Sequence, residues 1–329
     1  MTIKDIAKLA DVSVSTVSRV LNDRPDVSED SRRRVRAVIE AHRYVPNNSA
    51  RDLVKIRSDA VGLVVRGVAN PFYTDIIRAI EHKLDLAGYT MVMRQIPSGD
   101  DEIQCGAVME KEKRLRGIIF LGGRSDYSPE EVSLLGVPYV CCSYTNSYGT
   151  LPPESYSSVS IADEQEAYRA VMELAKKGHR RIAFIHGERT AVTENRLTGF
   201  YRACDALGLE IPEEYVREGV YHDPDRCAEL TRELLQLPEP PTCILMPDDF
   251  SSIGGGNAIR RMDLRFPEDV SAAGYDGIQL ASVTNPAMTT YRQDTAALGK
   301  TAAAKLIELI EKPRTALVDR ILIPGKLVE

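Results

Sequence analysis

Val14, Ser15, Ser18 and Arg19 fall within one short stretch, "VSVSTVSRVLN", residues 12–22. An arginine can grip guanine O6 and N7 with two bonds, a serine hydroxyl serves several bases, and a valine can touch a thymine methyl. Ser15, Thr16 and Ser18 can also reach phosphate oxygens. Whether these groups act together depends on the element that holds them. The first half alternates apolar and polar, as a half-buried strand does, and Val, Ser and Thr are poor helix formers. The alternation stops at Thr16, while Val17, Val20 and Leu21 keep the i, i+3, i+4 spacing of one helix face. With those three turned to a core, Val14, Ser15, Ser18 and Arg19 face outward.

The neighbouring segments give this helix its supports. "IKDIAKLA" places Ile3, Ile6, Ala7 and Ala10 on one helical face. Val12 is an apolar turn residue suited to plug the gap, and Ser13 is placed to cap the second helix. A third helix begins at Ser28, an N-cap with acidic Glu29 and Asp30 behind it. Its apolar stripe is Val35, Val38 and Ile39, and Pro46 closes the unit. A support helix, a tight turn and a second helix with a small polar outer face make a helix-turn-helix, whose second helix enters the DNA major groove. Charge agrees with this. Residues 1–57 hold 12 Lys+Arg and 8 Asp+Glu, a net of +4, whereas the remainder holds 30 and 40, a net of −10. Only the head is suited to a polyanion.

Other chemistry finds little support. The six cysteines, at 105, 141, 142, 204, 227 and 243, form no C-x-x-C pair, so they read as structural residues and not as zinc ligands. There is no G-x-S-x-G, P-loop or G-x-G-x-x-G. "GGG" at 254–256 lacks the flanks of a phosphate cradle and reads as helix. His179 reads as structural. His186 ends a strand but has no visible catalytic partner. Nothing calls for a cofactor or a catalytic residue, and an enzyme is not expected. No apolar run reaches membrane-spanning length. "MTIKDIAKLADV" carries charges where a signal peptide needs an apolar core, so a cytoplasmic location is expected.

With 329 residues the chain is long enough for two or three domains. Residues 47–58, "NNSARDLVKIRS", are a polar, basic connector with one conspicuous leucine, Leu53. A helix of that length orders only when something holds it. From residue 60 strands and helices alternate: strand "AVGLVV", a helix ending at Gly88, strands "YTMVMR", "GIIFLGG" and "VPYVCCS". A second series starts near Val159, with helices at 164–177, about 194–207, 225–236 and 250–262 between the strands "RIAFIHG", "CILM" and "VSAAGYD". Alternation of this kind builds parallel sheets covered on both faces. Two series predict two doubly wound α/β subdomains behind an all-α head. Ligands in such folds sit beyond the carboxyl ends of the strands, here in the cleft between two sheets.

"TIKDIAKLADVSVSTVSRVLN", "RYVPNNSARDL", "NPFY", "NRLTGF" and "FPEDVSAAGYDG" together resemble the lactose-repressor/purine-repressor family of bacterial transcription regulators, in order along the whole chain. The resemblance implies a DNA-binding head (1–46), a hinge helix (47–58) and an effector-binding core like periplasmic sugar-binding proteins (59–329). The core chain would cross three times between an N-subdomain, about 59–159 and 292–320, and a C-subdomain, about 160–291 and 321–329. It implies a repressor that binds a palindromic operator as a homodimer under control of a small effector.

Base-reading positions carry over to Val14, Ser15 and Arg19, with Thr16 and Ser18 beside them. Leu53 matches a hinge leucine that wedges into the minor groove, with Ala50 and Arg51 in the same motif. In the cleft, Asn70, Phe72 and Tyr73 match from the first subdomain, and Arg196, Tyr221, Asp248 and Asp276 from the second. Asp249 reads as the cap of the following helix. Arg196 and Asp276 are costly to enclose unless paired, so an internal Arg196–Asp276 salt bridge stands beside the ligand role. Ser143-Tyr144 and Asp163-Glu164 depart from the family's common Asp-Arg and Asp-Asn. Carboxylates with aromatic faces favour a sugar over a nucleobase, which stays the alternative. A solute-binding receptor or an enzyme on the same core is the more distant one.

Overall fold

In a computed structural model the chain divides into two units, residues 1–58 and 59–329. The structure describes residues 2–21, 24–42, 59–67 and 70–328. The hinge segment lies outside the described residues, and with it Ala50, Arg51 and Leu53.

The first unit is built from α1 (Ile3–Leu9), α2 (Val14–Leu21) and α3 (Glu29–Ala41). Thr2 starts α1 with a capping box: its side chain accepts from the Asp5 N–H, and Asp5 reaches back to the Thr2 N–H. Ser13 Oγ accepts from the Thr16 N–H at 3.1 Å, which satisfies an orphan donor of α2. Ser28 does the same for α3 through Ser31. Ile6, Ala7, Ala10, Val17, Val20 and Val35 form the buried core, with Ile3, Val12, Leu21, Val38 and Ile39 around it. Fully burying a valine or isoleucine contributes about 1.5–3 kcal/mol, so these few side chains hold the strand-like α2 sequence in a helix against its propensity.

The second unit carries two six-stranded sheets. The first is ordered β11-β5-β4-β3-β1-β2 and its pairings are parallel. Its strands are β1 (Ala60–Arg66), β2 (Thr90–Ile96), β3 (Ile118–Leu121), β4 (Tyr139–Cys142), β5 (Ser157–Ser160) and β11 (Arg320–Leu322). α4 (Phe72–Leu86) and α12 (Thr295–Glu311) cover one face, and α5 (Glu102–Lys113) covers the other. The short α6 (Pro129–Val132) precedes β4.

The second sheet is ordered β12-β10-β9-β8-β6-β7. It comprises β6 (Ile182–His186), β7 (Val216–Glu218), β8 (Cys243–Leu245), β9 (Ser271–Asp276), β10 (Thr289–Arg292) and the antiparallel β12 (Lys326–Val328). α7 (Asp163–Lys176) and α8 (Ala191–Leu207) pack on one side, α9 (Pro224–Leu235) and α10 (Asp249–Arg261) on the other, with α11 (Gln279–Val283) after β9. The three glycines 254–256 lie inside α10. A Cβ on Gly254 would sit 2.0 Å from the Pro224 carbonyl oxygen, so this glycine lets α10 cross against the start of α9.

The chain passes between the sheets after Ser160, after Arg292 and after Leu322. Two expected boundaries shift. Residue 292 ends β10 in the second sheet, and Ile321–Leu322 pair with Val159–Ser160 in the first. β11 is a three-residue edge strand, which carries too little hydrophobic pattern to declare its partner.

All six cysteines are unpaired, five buried and Cys105 partly so. His179 hydrogen-bonds Thr242 and Ser271, both at 3.1 Å, and burial lowers its pKa. Among the described residues no helix is long and apolar enough to cross a membrane.

Candidate functional site

On α2, Val14 is 41 % exposed, Ser15 and Arg19 are exposed, and Thr16 and Ser18 are half-buried. The Ser13 hydroxyl lies 2.7 Å from that of Ser15 and 2.8 Å from that of Thr16. Arg19 stands 3.4 Å from Asp26, both largely in solvent. An exposed pair of this kind is weak, so the guanidinium is available to a stronger partner. One helix face therefore presents an arginine, hydroxyls and a small apolar contact, groups that can meet base edges.

In the second unit the expected cleft residues follow or end β1, β6, β7, β8 and β9. Asn70 turns back on its own chain, its Oδ1 accepting from the Phe72 N–H at 3.0 Å. Phe72 is 4 % exposed and belongs to the core of the first subdomain. Its ring centroid is 5.9 Å from that of Tyr73, which is half-buried. Burial, and next the charge of Asp276, push the Tyr73 hydroxyl far above its ordinary pKa. Of the expected cleft residues, Phe72 and Asp276 line a cavity of about 310 Å³, and Asn70, Tyr73, Arg196, Tyr221 and Asp248 do not. Phe72, Asp75 and Arg78 line it from one subdomain, and Phe250, Asp276 and Leu280 from the other.

Arg196, on α8, is 6 % exposed. Its Nε donates to Asp163 Oδ1 at 3.0 Å and its Nη1 to the Pro247 carbonyl at 3.1 Å, with the guanidinium carbon 4.1 Å from the centre of the Tyr275 ring. The expected Arg196–Asp276 bridge gives way to Arg196–Asp163, because the close packing of α7 on α8 brings Asp163 to it. Burial opposes the charge of Arg196, but Asp163, Tyr221, Tyr275 and Asp276 together outweigh it and hold the side chain cationic. Asp276 instead takes a 2.7 Å bond from Gln293 Nε2. Tyr221 places its hydroxyl 3.0 Å from Thr193 Oγ1, and its N–H donates to Glu188.

The cap expected at Asp249 is supplied by Asp248. Asp248 is the N-cap of α10, with Oδ1 accepting from the Ser251 N–H at 2.9 Å. Its Oδ2 accepts from the Ser251 hydroxyl at 3.0 Å and from the His222 N–H at 2.8 Å. At 2 % exposure its acceptors are occupied. Asp249 is the first residue of α10 and not its cap: its Oδ2 accepts from the Ile278 N–H at 2.8 Å, and its Oδ1 has no partner. The cap falls to Asp248 because that residue is extended, φ −159° and ψ 176°, and can fold its side chain onto the N–H three residues on.

Charge in this wall is uneven. Burial pushes Asp276 up to about 7, with Asp248 adding to the rise while Arg196, His222 and Gln293 oppose it. Burial and then Asp276 push Asp249 up to about 8. Asp248 is held below its usual value, because His222 and the N–H groups around it outweigh burial. His222 lies with Nδ1 3.5 Å from Asp248 Oδ2. Burial disfavours its charge, but Asp248 more than offsets that and raises its pKa. Arg196 and His222 make their ion pairs with Asp163 and Asp248, and the side-chain oxygens of Asp249 and Asp276 take hydrogen bonds from the Ile278 N–H and the Gln293 amide.

Sequence reasoning missed His222, Gln293 and Thr193. His222 and Gln293 follow the end of β7 and β10, and the rule that ligands gather beyond strand ends pointed to both. Ser143 and Tyr144 do not supply a charged group to the cleft: Tyr144 is 5 % exposed, without a partner for its hydroxyl, near the fully buried Glu102.

A helix-turn-helix head in one chain with a two-sheet core that encloses a polar cleft defines the class of transcription regulators that join a DNA reader to a small-molecule receptor. The comparisons agree. Residues 2–47 match the model for bacterial regulatory proteins of the lacI family, and residues 171–329 that of a periplasmic binding protein-like domain. The HTH-type transcriptional regulator MalR of Clostridium butyricum is 34 % identical over 316 residues, 94 % of this chain and 93 % of that one. The solved complex of the transcriptional regulator CelR with cellobiose is 30 % identical with a TM-score of 0.73, covering 100 % of this chain and 98 % of that one. The lac repressor dimer bound to operator and the anti-inducer ONPF, 24 % identical, shares the fold with a TM-score of 0.81, over 100 % and 98 % of the two chains. The chain belongs to the lacI family of bacterial regulatory proteins. It is a DNA-binding transcription regulator and not an enzyme.

Proposed function

We propose that this protein is a cytoplasmic repressor that binds a palindromic operator as a homodimer and is controlled by a neutral sugar in the cleft between its core subdomains. The observation that carries the sugar reading is the charge of the cleft wall. Arg196 is engaged by Asp163 and His222 by Asp248, while burial raises Asp276 to about 7 and Asp249 to about 8. A sugar offers hydroxyls to the Asp276 carboxyl and a flat apolar face to Tyr221 or Tyr73. A phosphorylated ligand would find Arg196 and His222 already paired with carboxylates. The likeness to a regulator solved with cellobiose supports the same class.

Asp276, Arg196 and Tyr221 are the proposed effector contacts of the second subdomain, and Tyr73 that of the first, with Asn70 and Phe72 shaping the turn that carries it. Val14, Ser15 and Arg19 are the proposed base readers. Thr16, Ser18, Ala50 and Arg51 serve the backbone, and Leu53 is the minor-groove wedge. One head reads half a palindrome, so a symmetric site requires a symmetric dimer. Effector binding shifts operator affinity by about 1–3 kcal/mol through the spacing of the hinges.

The test is a thermal-shift screen of the full-length protein against neutral sugars, sugar phosphates and nucleobases, followed by operator binding with the winning compound. A neutral sugar that raises the melting temperature and changes operator affinity is the expected result. A hit confined to nucleobases, or to sugar phosphates, would overturn the sugar assignment while leaving the regulator in place.

A further inference from the structure

Two residues other than glycine on the second wall of the cleft have left-handed backbone. His222 has φ +60° and Asp276 φ +102°. Such conformations are sparsely populated and persist only where their surroundings hold them. Each sits within reach of one of the paired aspartates that open α10. The His222 N–H donates to Asp248 Oδ2 at 2.8 Å, directly after Tyr221. The Ile278 N–H donates to Asp249 Oδ2 at 2.8 Å, two residues after Asp276. Between them Gly277 donates its N–H to Thr290 Oγ1 at 3.1 Å.

Asp249 is itself held in place with little room to move. It is 1 % exposed. A Cβ on Gly274, in β9, would lie 2.3 Å from Asp249 Oδ1 and 3.0 Å from its Cα, so the strand backbone is pressed against this side chain. A buried carboxylate oxygen without a partner is costly. Neither the cap of α10, which Asp248 supplies, nor the packing of β9 accounts for a carboxyl group at this position.

We propose that Asp249 is a positioning residue of the effector cleft: it holds the turn that aims Asp276, while Asp248 holds the turn that carries Tyr221 and His222. The pair would tie both ligand-facing loops to the start of one helix, so that the spacing between Tyr221 and Asp276 is set by α10 and not by the loops. Asp248 is then a second positioning residue and not an effector contact. The proposal rests on the cleft being the effector site.

Amide hydrogen exchange on the full-length protein tests the clamp without a ligand. Asp249→Ala should speed exchange at residues 277–279 by about tenfold or more, with the strands β6 and β8 still protected. Asp249→Asn keeps an oxygen that accepts from the Ile278 N–H and should restore slow exchange. Unchanged exchange in Asp249→Ala would overturn the clamp, whatever the cleft binds. If Asp249→Ala does not fold, Asp249→Ser, too short to reach Ile278, takes its place.

The second arm is calorimetric titration with cellobiose and a panel of other neutral disaccharides. For any sugar that the wild type binds, Asp249→Ala should weaken affinity about tenfold and Asp249→Asn should recover most of it. Equal affinity in all three proteins would overturn the positioning role. If the wild type binds no sugar, the sugar reading fails and the exchange result alone decides the clamp.

Discussion

At Arg19 a single side chain separates sequence reading from simple charge. Its exposed ion pair with Asp26 contributes too little to compete with a guanine edge. Arg19→Ala should lose preference at one base position per half-site, by about 1–3 kcal/mol, measured by competition among operator variants. An equal loss on all sequences would make it a phosphate contact. Within the core, Asp276 and Asp249 bind protons in the folded state that the unfolded chain releases above about pH 4. Their folded values of about 7 and about 8 therefore make their contribution to stability fall as pH rises between about 4 and 8. His222 acts in the same direction: its contribution is full below the ordinary histidine value and fades as pH rises through its raised one. Asp248 acts oppositely, its contribution present above the ordinary carboxylate value and lost as pH falls through its lowered one. Asp276→Asn should accordingly shrink the difference in melting temperature between pH 5 and pH 8. An unchanged difference would mean that Asp276 titrates like a solvated carboxylate.

At the scale of elements, α2 and α10 show two ways in which a helix overcomes its own sequence. Six of the eight residues of α2 are Val, Ser or Thr, and it is kept helical by Ser13 at its start and by Val17 and Val20 in the head's core. α10 contains three consecutive glycines, each less favourable than alanine by about 1 kcal/mol, because Gly254 must pass the Pro224 carbonyl. Gly254→Ala improves helix propensity yet should destabilise the protein by about 1–3 kcal/mol through overpacking, read from denaturant unfolding. A more stable variant would show that the crossing can relax. The spacing of Val17, Val20 and Leu21 made α2 legible in the sequence. The roles of Asp248 and Asp249 were not, because two identical neighbours differ only in backbone angles, and those depend on how α10 meets β8.

At the scale of the whole molecule, a basic head of net +4 before an acidic remainder of net −10 confines DNA contact to one end of the chain. Operator affinity should therefore fall steeply with salt, by on the order of a thousandfold between 50 and 200 mM for a dimer that neutralises six or more phosphates. A shallow dependence would remove the backbone contribution that the head's charge implies. The sequence by itself determined the class of protein. Hydrophobic period, caps and strand–helix alternation are local signals, and they suffice for a helix-turn-helix head, two doubly wound sheets and a cleft at their strand ends. Only the tertiary structure decided which charges meet there. Arg196 takes Asp163 and not Asp276, Gln293 reaches Asp276 from β10, and Ile321 returns to the first sheet. Those pairings join residues as much as 160 positions apart, and a hydrogen bond between them depends on distances that no spacing along the chain records.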